Sequence, residues 1–127
     1  MPDSHVPLSI LTMFDSEFAF GELTWDAPDT EARVSVGVPA TLRYFDGHFA
    51  GDPIVPGVAQ LGPLAEAQAR RAWPELGAVT SVKRLKFMQA LRPEDALTLT
   101  LKRAGDKVGF AVHKGELECT RGTLVFG

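Results

Sequence analysis

The plainest pattern along the chain is alternation of apolar and polar or small residues with period two. Leu97, Leu99 and Leu101 alternate with Thr98, Thr100 and Lys102, and Val108, Phe110 and Val112 alternate with Gly109 and Ala111. Each run predicts a strand that buries one face. Ala32 to Val38 follows the same rule, with Val34, Val36 and Val38 on one side and Arg33, Ser35 and Gly37 on the other. Less regular runs predict strands over Leu8 to Met13, over Phe18 to Trp25 with Gly21 as a bulge, over Val79 to Phe87 and over Glu116 to Phe126. Asp26-Ala27-Pro28-Asp29, Arg92-Pro93-Glu94-Asp95, Ala104-Gly105-Asp106-Lys107 and His113-Lys114-Gly115 supply the turns.

One segment has helical spacing. Val58, Leu61, Ala65, Ala69 and Ala72 recur at steps of three and four, which predicts a single apolar stripe of mostly small side chains able to lie close to a sheet. Pro56 suits the first turn, and Trp73-Pro74 ends the helix because a residue before proline leaves the helical region. Strands, one long helix, then antiparallel strands predict an α+β fold with the helix on one face of a mostly antiparallel sheet.

Between Tyr44 and Gly57 the periodicity vanishes. YFDGHFAGDPIVPG carries Gly47, Gly51, Gly57, Pro53 and Pro56, a mixture that specifies an irregular but stiff loop leading into the helix start.

Composition narrows the class. The 127 residues, 45% hydrophobic and 23% charged, suit one domain over residues 1–127. A net charge of −3 argues against a nucleic-acid surface but permits a local basic patch for an acidic protein. No apolar run reaches the roughly 20 residues of a membrane span, and the N-terminus lacks the apolar core of a signal peptide, so a cytoplasmic protein is expected. The single cysteine, Cys119, excludes an internal disulfide and reads as a small apolar strand residue. The histidines are scattered without a ligand-like spacing, so neither a metal nor any other cofactor is implied.

His5 and His113 read as solvated side chains beside a terminus and a turn. His48 differs, because Gly47 and Gly51 flank it and its loop feeds a helix start. An imidazole with an ordinary pKa of about 6.5 is suited to taking and returning a proton at neutral pH. The N–H groups of Gly57 and Val58 head the helix, where backbone donors have no intrahelical partner and the peptide dipoles favour a developing oxyanion.

These residues carry a resemblance. HFAGDPIVPGVAQLG, His48 to Gly62, is similar to the signature of the β-hydroxyacyl-acyl-carrier-protein dehydratases, a hotdog-fold family with the pattern H-F-x-G-x-P-x-x-P-G followed by an acidic residue five positions later. LKFMQALRPEDALTLTLK, Leu85 to Lys102, resembles the family's strand, turn and strand more loosely. The resemblance implies a long central helix wrapped by a curved antiparallel sheet, paired into a homodimer or a hotdog heterodimer. It implies a site in which His48 removes the α-proton of a 3-hydroxyacyl thioester, the Gly57 N–H holds the carbonyl, and an acid on the partner's helix assists loss of hydroxide. An acyl carrier protein is the expected partner, with Lys83, Arg84, Lys86, Arg70, Arg71 and Arg92 as docking candidates. Phe45, Phe49, Val58, Leu61, Leu64, Phe87 and Met88 are candidates for the acyl slot.

The family's acid is missing, because five residues past Gly57 stands Gly62. Glu66 is the replacement candidate, one turn on and about 6 Å further along the axis, with Pro63 between to re-aim it. Glu66 also has the i,i+4 spacing for an ion pair with Arg70. Asp46 and Asp52 are nearer His48 in sequence and read as turn residues or imidazole partners. Three functions stay open: dehydration to a trans-2-enoyl thioester in fatty-acid or polyene-type synthesis, thioester hydrolysis, and a non-catalytic acyl-binding or partner subunit.

Overall fold

The computed structural model describes residues 17–42 and 54–127. Leu8 to Met13, expected to form a strand, His5 and residues 43–53, with Phe45, Asp46, His48, Phe49 and Asp52, lie outside the described residues. Six strands are formed: β1 (Ala19–Ala27), β2 (Glu31–Gly37), β3 (Val79–Phe87), β4 (Ala96–Ala104), β5 (Lys107–Lys114) and β6 (Leu117–Phe126). They make one sheet in the order β1-β2-β4-β5-β6-β3, every neighbouring pair antiparallel. The hairpin between β4 and β5 closes on the pair Ala104 and Lys107, with Gly105 at φ +64° where a side chain would be strained.

The alternating runs form the inner face. Val34, Leu99, Val112, Thr120 and Phe87 are successive ladder partners from β2 to β3, and the first four are buried. Thr120 is the polar member of an otherwise apolar row. Leu97, Leu101, Val108, Phe110, Leu124 and Phe126 complete this face and share one core with the helix.

The helix, α1, has three parts: an α-helical turn at Gly57–Ala59, a π-helical stretch Gln60–Glu66 and an α-helical end Ala67–Ala72. Pro63 lies inside the π-helical stretch, and the Ala67 N–H reaches back five residues to the Gly62 carbonyl. A proline has no N–H to donate and its ring crowds the carbonyl four residues earlier, so the wider π turn relieves both problems. The turn corrects the expected stripe. Ala59 and Gln60, Leu64 and Ala65, then Gln68 and Ala69 are buried, a step of five followed by one of four. Val58 is 77% exposed, and Leu61 and Ala72 are only partly buried.

Both helix ends are pinned. At the C-terminal end the Trp73 indole N–H donates to the Asp29 carbonyl at 2.8 Å, and Trp25 meets the same ring edge-on at 5.6 Å. Arg103 lies over Trp73 and pairs with Glu75, whose carboxyl its hydrogen bond holds below the usual range. Leu64, fully buried at the middle of the helix, reports on this packing. Leu64→Ala should lower stability by about 2–5 kcal/mol, read as a reduced denaturation midpoint at unchanged m-value.

Candidate active site

The chain leading into α1 is fixed from two directions. The Val55 N–H donates to the Leu91 carbonyl at 2.8 Å, while the Val55 carbonyl accepts from Gln60 Nε2 at 3.2 Å. The Ala59 and Gln60 N–H groups both reach the Pro56 carbonyl, at 3.1 and 3.2 Å. The N–H groups of Gly57 and Val58 have no acceptor among the described residues. A helix of this length leaves its first donors open, so two amides at the start of α1 can receive an anionic oxygen.

Gly57, the first of these two residues, borders an apolar cavity of about 300 Å³, lined also by Ile54, Pro56, Gln60, Phe87 and Met88, among others. Phe87 closes against Gly57 so tightly that a Cβ at residue 57 would lie 2.9 Å from the ring's Cζ. A side chain at residue 57 would displace the ring, the free end of a half-exposed side chain, from its contact with the helix start. The far lip is held by β6, where the Cys119 carbonyl accepts from the N–H groups of Met88 at 2.8 Å and Gln89 at 3.1 Å. Cys119 itself is a buried, free thiol.

Of the expected site residues, Gly57 and Phe87 come together at this cavity. Val58 stands in solvent in the single chain, Leu61 packs against the core edge, and Leu64 is core. Glu66 forms the second of its two expected arrangements, an ion pair with Arg70, which also donates to the Gly77 carbonyl at 2.7 Å. Gly62 faces open space, with no heavy atom within 4 Å of where its Cβ would be. Gln60 and Thr120 are additions to the expected set. Their signal was a polar residue inside an apolar helical turn and another at an inward position of β6.

Five of the six basic candidates divide between two places, and the sixth, Arg92, stands in the turn before β4, its N–H on Asp95. Arg70 and Arg71 are engaged beside the helix, Arg71 donating to the Gly21 carbonyl at 3.1 Å. Lys83, Arg84 and Lys86 project with Lys102, Lys107 and Arg121 around two adjoining clefts of about 690 and 370 Å³ on the outer face of the sheet. Among the described residues no carboxylate lies within 4 Å of Lys83, Arg84, Lys86, Lys102 or Lys107. His113, expected to be solvated, is half-buried on that face, 3.9 Å from Glu118. Among the described residues no helix is long and apolar enough to cross a membrane.

Residues 24–123 match the ApeI-like family, described as the ApeI dehydratase. The chain belongs to the ApeI-like dehydratase family. Like the relatives it resembles, an ApeI-like chain is a hydro-lyase. It is 34% identical over 94 residues to the 3-hydroxyacyl-[acyl-carrier-protein] dehydratase FabZ of Oenococcus oeni, covering 65% of this chain and 68% of that one. It is 33% identical over 105 residues to the enzyme of the same name from Ligilactobacillus salivarius, covering 73% and 75%. Its fold matches the dehydratase heterocomplex ApeI:P from Xenorhabdus doucetiae with TM-score 0.76 at 23% identity, over 85% of this chain and 96% of that chain. The α+β expectation and the hotdog fold are both borne out.

Proposed function

We propose that this ApeI-like chain dehydrates a carrier-bound 3-hydroxyacyl thioester, in a site completed by a second hotdog chain. The carrying observation is the pair of open amide donors at Gly57 and Val58, with Gly57 lining the apolar cavity that Phe87 also lines. The thioester carbonyl accepts from these amides, which stabilise the enolate-like charge as His48 removes the α-proton. The Cα–H electrons form the new double bond, the Cβ–O bond breaks, and the hydroxyl leaves as water after taking a proton.

That last proton needs a donor. Gly62 has no side chain and Arg70 holds Glu66, so two copies of this chain would supply no acid at the usual helical position. A different hotdog subunit carrying the acid on its own helix completes the His48 site. The similarity to a dehydratase heterocomplex supports this arrangement over a homodimer. The reaction is tested by product: a trans-2-enoyl thioester with no free thiol supports dehydration, whereas stoichiometric thiol release identifies a thioesterase and defeats the proposal.

The outer basic clefts are the docking face for the acidic carrier. Cations without carboxylate partners keep their field available to an incoming anion, and such attraction acts mainly on encounter. Lys83→Glu combined with Arg84→Glu and Lys86→Glu should raise KM for the carrier-bound substrate by about tenfold or more. The same triple variant should leave turnover of a short thioester without carrier unchanged. Equal KM values for the triple variant and the parent, at low salt, would remove this face as the dock.

A further inference from the structure

Two buried polar side chains are not used by the reaction above. Gln60 is 4% exposed and Thr120 is fully buried, yet they sit 60 positions apart in sequence and meet at 2.6 Å, the Thr120 hydroxyl donating to Gln60 Oε1. The other end of the amide donates to the Val55 carbonyl at 3.2 Å. The orientation of the amide is determined by chemistry. A carbonyl can only accept, so Nε2 must face Val55, and Oε1 is left to face a hydroxyl that can donate.

We propose that Gln60, held by Thr120, is the positioning residue that aims the Gly57 and Val58 amides at the substrate oxygen; this rests on the reading of those amides given above. The contacts form a closed circuit. Thr120 is the ladder partner of Phe87, the Phe87 ring packs on Gly57, and Gly57 lies three residues before Gln60 on the same helix. Gln60 therefore links the helix start to the strand whose neighbour forms the opposite wall of the cavity.

The π-helical stretch explains why such a clamp is needed. Converting that stretch to an ordinary α-helix would rotate everything before it by about 100° relative to everything after it. Gln60 is the first residue of the stretch, and its two hydrogen bonds, one to the incoming chain and one to β6, hold the preceding turn in one rotation. An apolar residue at 60 facing an apolar one at 120 would fill the same space without choosing between rotations. The buried polar pair chooses because the wrong rotation leaves its groups unsatisfied.

The test uses Gln60→Leu, Thr120→Val and the double variant, each assayed in the complete dehydratase and recorded by amide NMR. Gln60→Leu should lower kcat by about 10²-fold with KM little changed, the size expected for displaced catalytic groups. It should also shift the Gly57 and Val58 amide resonances. The double variant should regain thermal stability, since neither partner is left alone, while kcat stays low. Recovery of kcat together with stability would overturn the proposal, because the pair would then be ordinary packing. If Gln60→Leu fails to fold, Thr120→Val decides: lowered kcat with shifted amides supports the clamp, and unmoved amides with parental kcat reject it. Absence of dehydration in the parent would defeat the proposed function instead, and the amide shifts would still judge the clamp.

Discussion

His48→Ala should reduce formation of the enoyl product by about 10²–10⁴-fold, the usual contribution of a positioned general base. The carbon acid next to a thioester ionises only weakly in water. Removing its proton at neutral pH needs a base held beside it and donors waiting for the charge that moves onto the carbonyl oxygen. The structure supplies the donors at Gly57 and Val58, and His48, nine positions earlier in the sequence, is the side chain whose type suits the base. Initial rates of enoyl-thioester formation by both proteins check this. Equal rates would mean that His48 moves no proton and would favour the acyl-binding reading.

What was legible in the sequence follows from which forces are local. Strands β2, β4 and β5 were read from alternation because each buries one face, and a pleat places every second residue on that face. Strand β3 was found over its full length, Val79–Phe87, although it carries bulges and a mostly exposed surface. The helix is legible too, but its buried face is not. A template of three and four residues per step cannot express a return after five, and Val58 was therefore placed on a face that the π turn rotates away from the core. The signal for it is Gly62-Pro63, a place where a proline inside a helix re-aims the following turn.

The site divides in the same way. Gly57 was recognisable because a proline–glycine pair before a helical segment marks a helix start whose amides stay open. Phe87 was recognised as a slot residue, but nothing in the sequence said that its ring presses on Gly57, because that contact depends on β3 reaching the sheet edge beside α1. Gln60 and Thr120 are further from view. Each is a single polar residue in an apolar setting, and only the register of β6 under the helix start makes them partners.

Gly62→Glu should raise the dehydration rate of the chain without an added subunit by about 10²–10⁴-fold, the amount that positioned acid catalysis commonly provides. Three observations favour acceptance of the new side chain. The Cβ direction at Gly62 is open for 4 Å, its backbone is not in the left-handed region, and residue 62 lies in a helix, where replacing glycine by glutamate is worth a few tenths to about 1 kcal/mol. A gain in rate accompanied by a small gain in thermal stability is thus expected, which is unusual for a change at a catalytic position. In a homodimer the variant would place an acid where the family carries one, on the helix facing the neighbour's His48. The double variant Gly62→Glu, His48→Ala should lose the gain, since an acid without the proton-abstracting base completes only half of the elimination. By contrast, Glu66→Gln in the otherwise natural chain should change the rate little, because its carboxylate is committed to Arg70. A large loss from Glu66→Gln together with no gain from Gly62→Glu would reassign the acid to Glu66 and remove the need for a second kind of subunit.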